Sequence, residues 1–451
     1  MLSAPPHRRR PWWQLLLPDT TPLRESRSFR LLWAGQLVSQ LGTQLRLVAL
    51  PYQVFLLTGS PLAVGLIGLV QAVPLLALSL FAGVIADRVD RRRLLLFTQV
   101  GLAVVSIALA VTTQAGVASI ALLYVLTAAG ACCSALDNPT RAALAPALVE
   151  RRLIRAAMAL NQTVFQLSAI VGSAIAGIVI ARFGLAGAYW LDAASFIAAV
   201  AAVAAMRTPP RPRVEHLPVL HALVEGVTYL RASRILFATM LVDFLATFFG
   251  SPRALFPYYA ERVFHVGPEG LGLLYAAMGV GALLAALFSG WTAHVKRQGL
   301  TILVSVAIWG LAIAAFGALG EEGFVFGLVL LAIAAAADTV SSIFRHTILN
   351  LVVPDALRGR LNAINIMFVL GGPQLGQFES GAVAALSSPA ASVISGGLAC
   401  IVAVIGVAGA LPEILRYRAR AESGLGPDLA PGAPAGGVQV HEQQADEQDQ
   451  E

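Results

Sequence analysis

Residues 83–96 read GVIADRVDRRRLLL, with six charged side chains in the seven positions from Asp87 to Arg93. A long apolar run precedes this stretch and another begins directly after it. Elsewhere the chain avoids charge: 57% of its residues are hydrophobic and 12% are charged, against roughly 25% charged in a soluble domain. So little polar surface does not cover a globule of 451 residues, and a bilayer removes the need to. The charged cluster therefore reads as a short connection between two membrane helices.

A spanning helix needs about 20 mostly apolar residues. Candidates fall at 31–56, 62–86, 94–114, 117–136, 161–182 and 186–206, then at 235–257, 269–291, 300–319, 323–345, 362–385 and 391–411. With the N-terminus inside, 27 of the 31 basic residues lie on the cytoplasmic side, and only Arg182 and Arg262 lie outside. Both termini are then cytoplasmic. Residues 1–30 form a cytoplasmic tail whose apolar run, WWQLLL, is too short for a signal-peptide core. The central loop, 207–234, is too short for a soluble domain, and its second half suits an amphipathic helix on the membrane surface. Residues 412–451 are a cytoplasmic tail rich in Gly, Pro, Gln and acids, expected to be disordered.

The two sets of spans repeat each other. A shift of 204 aligns Arg141 with Arg345, Leu153 with Leu357, Asn161 with Asn365 and Gly172 with Gly376. A shift of 207 aligns Pro61 with Pro268, Gly65 with Gly272 and Gly83 with Gly290. A six-span unit duplicated in parallel and joined by a cytoplasmic loop predicts an all-α membrane protein of 12 transmembrane helices. These form two pseudosymmetric six-helix bundles, 31–206 and 235–411.

From Ser28 to Leu411 the chain resembles the major facilitator superfamily. Gly83, Asp87, Arg88, Arg91 and Arg92 fill the positions of that family's loop 2–3 signature, and Asp90 stands where the general signature has Gly. That departure, together with DNPTRAALAPALV, PDALRGRLNAIN and GGPQLGQFESGA, is similar to a branch of enterobactin exporters and multidrug or macrolide efflux proteins. The resemblance implies alternating access in the plasma (inner) membrane by a functional monomer. It implies a proton-coupled exporter of amphipathic small molecules of the drug or siderophore class, with protons and membrane lipids as further partners. In the family the carboxylate at Asp87 joins a charge network between bundles, with Arg88, Arg91 and Arg92 on its cationic side. The second-half copy keeps Gly290 but has His294 at the Asp87 position, which predicts an asymmetric gate. The fifth span, AIVGSAIAG, resembles an antiporter signature with Ser173 in place of Pro, so less bending is expected there.

Ionisable groups inside spans are costly and are functional candidates by default. Arg46 and Arg253, 207 apart, are pseudosymmetric partners on cavity-lining spans by the resemblance. With Gln40, Gln44 and Gln374 they are the substrate-cavity candidates, and paired guanidiniums favour an anionic or hydrogen-bond-accepting substrate. The alternative is that each snorkels outward or pairs with a structural carboxylate. Asp192 reads as structural, while Asp243, Glu379 and Asp338 are the proton-coupling candidates, Asp338 with Arg345 as an alternative partner. Asp137, Arg141 and Arg345 mark the inner-end repeat motif.

The chain has no phosphate-binding G-x-x-x-x-G-K-[ST] loop, and its only lysine is Lys296, which disfavours ATP-driven transport. Seven scattered histidines and three cysteines in apolar segments offer neither a metal site nor clustered catalytic groups. No cofactor, metal, enzymatic activity or nucleic-acid partner is expected. Import of a small solute and a non-transporting membrane sensor or scaffold are the remaining alternatives.

Overall fold

The computed structural model describes residues 19–207 and 219–417. The N-terminal tail before residue 19 and the acidic tail after 417 lie outside the described residues. All regular structure within the described residues is helical. With no water in a hydrocarbon core, a helix satisfies its backbone groups within one segment, which is why long apolar runs fold this way.

The first half holds α1 (Thr21–Glu25), α2 (Arg27–Thr58), α3 (Pro61–Arg88), α4 (Arg91–Gln114), α5 (Ile120–Leu144), α6 (Ile154–Leu167) and α7 (Ser173–Ala204). After α8 (Val219–Ala232) come α9 (Arg234–Phe249), α10 (Phe256–Tyr258), α11 (Gly267–Leu287) and α12 (Gln298–Gly317). The chain closes with α13 (Phe324–Val352), α14 (Asp355–Leu386), α15 (Pro389–Ala410) and α16 (Glu413–Arg416). Side-chain caps start several of these helices. The Ser26 hydroxyl accepts from the Phe29 amide at 3.1 Å, and the Asp90 carboxylate accepts from the Arg93 amide at 2.9 Å. Asp90 thus begins α4 as its N-cap.

Nine helical runs among the described residues are long and apolar enough to cross a membrane. One, Arg151–Ala204, has 54 residues. That is about 80 Å of continuous helix against a hydrocarbon core of about 30 Å. Gly184, at φ 69° and ψ −179°, breaks it. Helices α2 and α14 have 32 residues each but fall outside the nine, because Gln36, Gln40, Gln44 and Arg46 on one and Gln374, Gln377 and Glu379 on the other lower their hydropathy.

Two spans depart from uniform helix. Within the expected span 235–257 the α-helix ends at Phe249, and a 3-10 turn, Pro252–Leu255, follows Gly250. Pro252 has no amide hydrogen to continue the α ladder. Between α6 and α7, Ser168–Gly172 forms a π turn, so this span is irregular even with Ser173 in place of Pro. Helix α8 packs on the first turns of α14, where Arg360 and Glu225 form an ion pair.

Within the first half α2 and α4 lie along α7, and α3 along α5; within the second, α13 packs with α11 and α12, and α12 with α15. The halves meet along α3 with α14 and α7 with α11. Both seams are close backbone approaches that only glycine permits. A Cβ on Gly65 would lie 2.9 Å from the Cα of Gly381, and one on Gly272 would lie 2.9 Å from the Cα of Gly177. Gly65 and Gly272 are 207 apart, and Gly177 and Gly381 are 204 apart. The two seams are therefore copies of one contact, related by the offsets of the sequence repeat.

Candidate functional site

Gly83, Asp87 and Arg88 of the charged motif lie outside the described side chains. Arg91 and Arg92 are described, and both reach helix C-termini of their own half. Arg91 donates to the Ala143 carbonyl at 2.9 Å, and Arg92 to the Val203 carbonyl at 3.1 Å and to the Ala204 carbonyl. Last-turn carbonyls have no helical donor and carry the negative end of the helix dipole, so guanidiniums suit them. In the second copy Gly290 and His294 lie in a 3-10 turn, and a Cβ at Gly290 would meet nothing within 4 Å.

Three charged clusters lie among the helices. In the first, Asp137 accepts from Arg141 Nε at 2.6 Å, Thr98 Oγ1 at 2.8 Å and Gln99 Nε2 at 2.6 Å. Asp137 and Arg141 are one turn apart on α5 and both are buried, so the pair is neutral and closed to solvent. In the second cluster, Arg46 Nε stands 3.6 Å from Asp192 Oδ2, and Ser106 bridges them, donating to Asp192 at 2.6 Å and accepting from Arg46 at 3.5 Å. The Arg46 guanidinium also sits 5.5 Å from the Phe196 ring centroid. Arg46 is thus held by a fully buried carboxylate from α7.

The third cluster is built differently. Arg345 Nη2 lies 2.8 Å from Asp243 of α9 and 3.5 Å from Asp338 of its own helix, while its Nη1 donates to Ser341 Oγ at 3.1 Å. One guanidinium is shared by two carboxylates. The Asp243 side chain is 6% exposed and that of Asp338 is 40% exposed, so the cluster is open on the Asp338 side.

The remaining candidates are dispersed. The stem of Gln44 packs where a Cβ on Gly172 would sit, and Gln374 accepts from Gln377 Nε2 at 3.0 Å while its backbone faces Gly68. Gln40 and Glu379 are half-buried, without an ion pair among the described residues. Arg253 is half-buried in the Pro252–Leu255 turn, which packs against both α3 and α14.

One contact carried no signal in the sequence reading. The Tyr52 hydroxyl donates to Glu261 Oε1 at 2.5 Å across the two halves, and Phe55 meets Tyr258 edge-on at 6.2 Å beside it. Both lie near the Thr58 end of α2, the end at which the glycine seams close. Glu261 stands at a span end, so position alone gave no reason to single it out.

A family profile described as transmembrane secretion effector matches residues 19–425. The enterobactin exporter EntS of Shigella boydii serotype 18 is 29% identical over 406 residues, covering 90% of this chain and 97% of that protein. The enterobactin exporter EntS of Escherichia fergusonii is 28% identical over the same shares. Among solved structures, the nucleoside transporter NupG superposes with TM-score 0.68 at 12% identity, covering 86% of this chain and 99% of its own. A bacterial homologue of the human lysosomal transporter Spinster, in an inward-facing and unoccupied conformation, gives TM-score 0.64 at 14% identity, covering 86% and 96%.

Proposed function

The chain belongs to the transmembrane secretion effector family of the major facilitator superfamily, and from that premise we propose a proton-coupled exporter of siderophore-like, acceptor-rich small molecules. Twelve spans follow when the run broken at Gly184 is counted as two crossings and the polar helices α2 and α14 are added to the apolar runs. Residues 31–206 and 235–411 are then two bundles with the tails 1–30 and 412–451 and the loop 207–234 on the cytoplasmic side. The cytoplasmic placement of the tails and the loop rests on the positive-inside distribution of arginine.

The observation that carries the transport reading is the pair of glycine seams. Two equivalent backbone contacts, joined by the Tyr52–Glu261 hydrogen bond, seal the extracellular end and provide an axis for rocking one bundle on the other. The charged motif around Asp87 is the corresponding lock on the cytoplasmic side. Arg345 shared by Asp243 and Asp338 is the coupling site: two carboxylates on one guanidinium leave a net negative charge that a proton neutralises, and Asp338 is the open side through which it enters. Glu379 is the second candidate. Arg46 acts as a strut, its charge held by Asp192.

Purified protein in liposomes tests the reading. An imposed pH gradient drives accumulation of a catecholate siderophore or an amphipathic drug against its gradient. Absence of flux for both classes, with protein shown to be inserted and folded, overturns the exporter.

A further inference from the structure

Arg46 and Arg253 occupy matching positions 207 residues apart, yet among the described residues only Arg46 has a carboxylate partner. Arg46 rests on Asp192, and the position matching Asp192 at the 204 offset is Gly396. The local packing matches this correspondence. A Cβ on Gly42 would meet Asp192 Oδ1 at 2.9 Å and Ser195 Oγ closer still, while a Cβ on Gly396 would meet the carbonyl oxygen of Phe249, the residue that matches Gly42. Where the first half has Gly against Asp, the second has Phe against Gly. The carboxylate is lost, and nothing in the described residues forms an ion pair with Arg253 in its place.

The backbone around Arg253 also differs. Helix α2 runs unbroken past Arg46 to Thr58, but α9 stops at Phe249 and the chain turns through Gly250, Ser251 and Pro252. Of the four residues in the following 3-10 turn, Arg253 alone keeps some exposure; Pro252, Ala254 and Leu255 are buried. Irregular backbone at membrane depth occurs where it is enclosed by protein or lines a cavity, and a guanidinium there with no protein counter-charge marks a bundle interior or hydrated cavity on a substrate path. The turn packs against α3 of the first half and α14 of the second, so it lies at the junction of the two halves.

We infer that Arg253 alone, and not an Arg46–Arg253 pair, is the cationic contact for substrate, and that it selects compounds presenting an anionic or strongly accepting oxygen, such as a catecholate. The inference rests on the exporter reading for the setting of the site, but its test does not require flux. Binding of a 2,3-dihydroxybenzoyl amide to the purified, folded protein is measured directly, with ethidium as the cationic comparison. Arg253→Gln weakens the catecholate at least tenfold, Arg253→Lys weakens it less, and ethidium binding stays within twofold. The double variant Arg46→Gln with Asp192→Asn, which removes the buried charges together, leaves catecholate binding within twofold once matched for folded protein. Unchanged catecholate binding in Arg253→Gln, a tenfold loss in the double variant, or no catecholate binding by the wild type overturns the inference. Binding that depends on Arg253 without flux in liposomes overturns the exporter reading instead and leaves this one standing.

Discussion

Arg141 and Arg345 stand at the same place in the two halves, 204 residues apart, and keep different company. Arg141 is paired by Asp137 one turn earlier on its own helix, and two further donors fill the other carboxylate oxygen. At the position of Asp137 the second half has Ser341, and the acids have moved to Asp243 and Asp338, where the first half has Gln36 and Ser134. The first ion pair is neutral, within one helix and buried; the second carries an extra negative charge, draws its charges from two helices and is partly open. The matching positions thus hold one closed ion pair and one guanidinium shared by two carboxylates and partly open.

The sharpest way to break this comparison is Asp243→Asn. Efflux driven by a pH gradient falls to the uncoupled background while downhill counterflow persists, and Glu379→Gln keeps the coupling. The reverse pattern moves the coupling site to α14. Next in size is stability: Asp137→Asn leaves Arg141 buried without its counter-charge, at a cost of about 3–5 kcal/mol in thermal or denaturant unfolding in detergent. A fall no larger than that of a surface substitution removes the closed ion pair from the comparison. Tyr52→Phe removes a hydrogen bond to a charged group, about 1.5–3 kcal/mol, from the end at which the glycine seams close. The distance between labels at Leu56→Cys and Arg262→Cys, both exposed, then shifts toward the separated population. Gly65→Ala and Gly272→Ala each push a methyl against backbone and cost about 1–3 kcal/mol. Because the seams are copies, the two losses match, and a large inequality breaks the symmetry. Smallest is Ser341→Ala, at the low end of the range for a hydrogen bond to a charged group, about 1.5 kcal/mol, because Arg345 keeps both carboxylates.

Much of the site was legible in advance because membrane residence makes each ionisable group conspicuous. Asp243, Asp338 and Arg345 stand out as charges in apolar runs, and the repeat offsets singled out Arg141 with Arg345 and Arg46 with Arg253. Asp338 beside Arg345, two turns apart on one helix, was legible; the contact of Asp243 with Arg345 was not. Asp243 and Arg345 are about a hundred residues apart, and only the packing of α9 beside α13 brings them to 2.8 Å. Arg46 shows the same limit: the pair of guanidiniums read from the offset is split, because Asp192 of a distant span claims one of them. The break at Gly250 to Pro252 was written in the residues, yet apolar composition masked it within a run long enough to span.

Composition and span length determined by themselves that this is a multi-pass helical membrane protein, since both follow from the cost of placing charge or bare backbone in hydrocarbon, and matching residues at constant offsets marked the internal repeat. Tertiary structure alone decided which copies stayed equivalent. The glycine seams kept their symmetry because a backbone-to-backbone contact leaves no room for a side chain on either side. The charged clusters lost it because a carboxylate can reach the same guanidinium from its own helix or from a neighbouring one, and only packing says which.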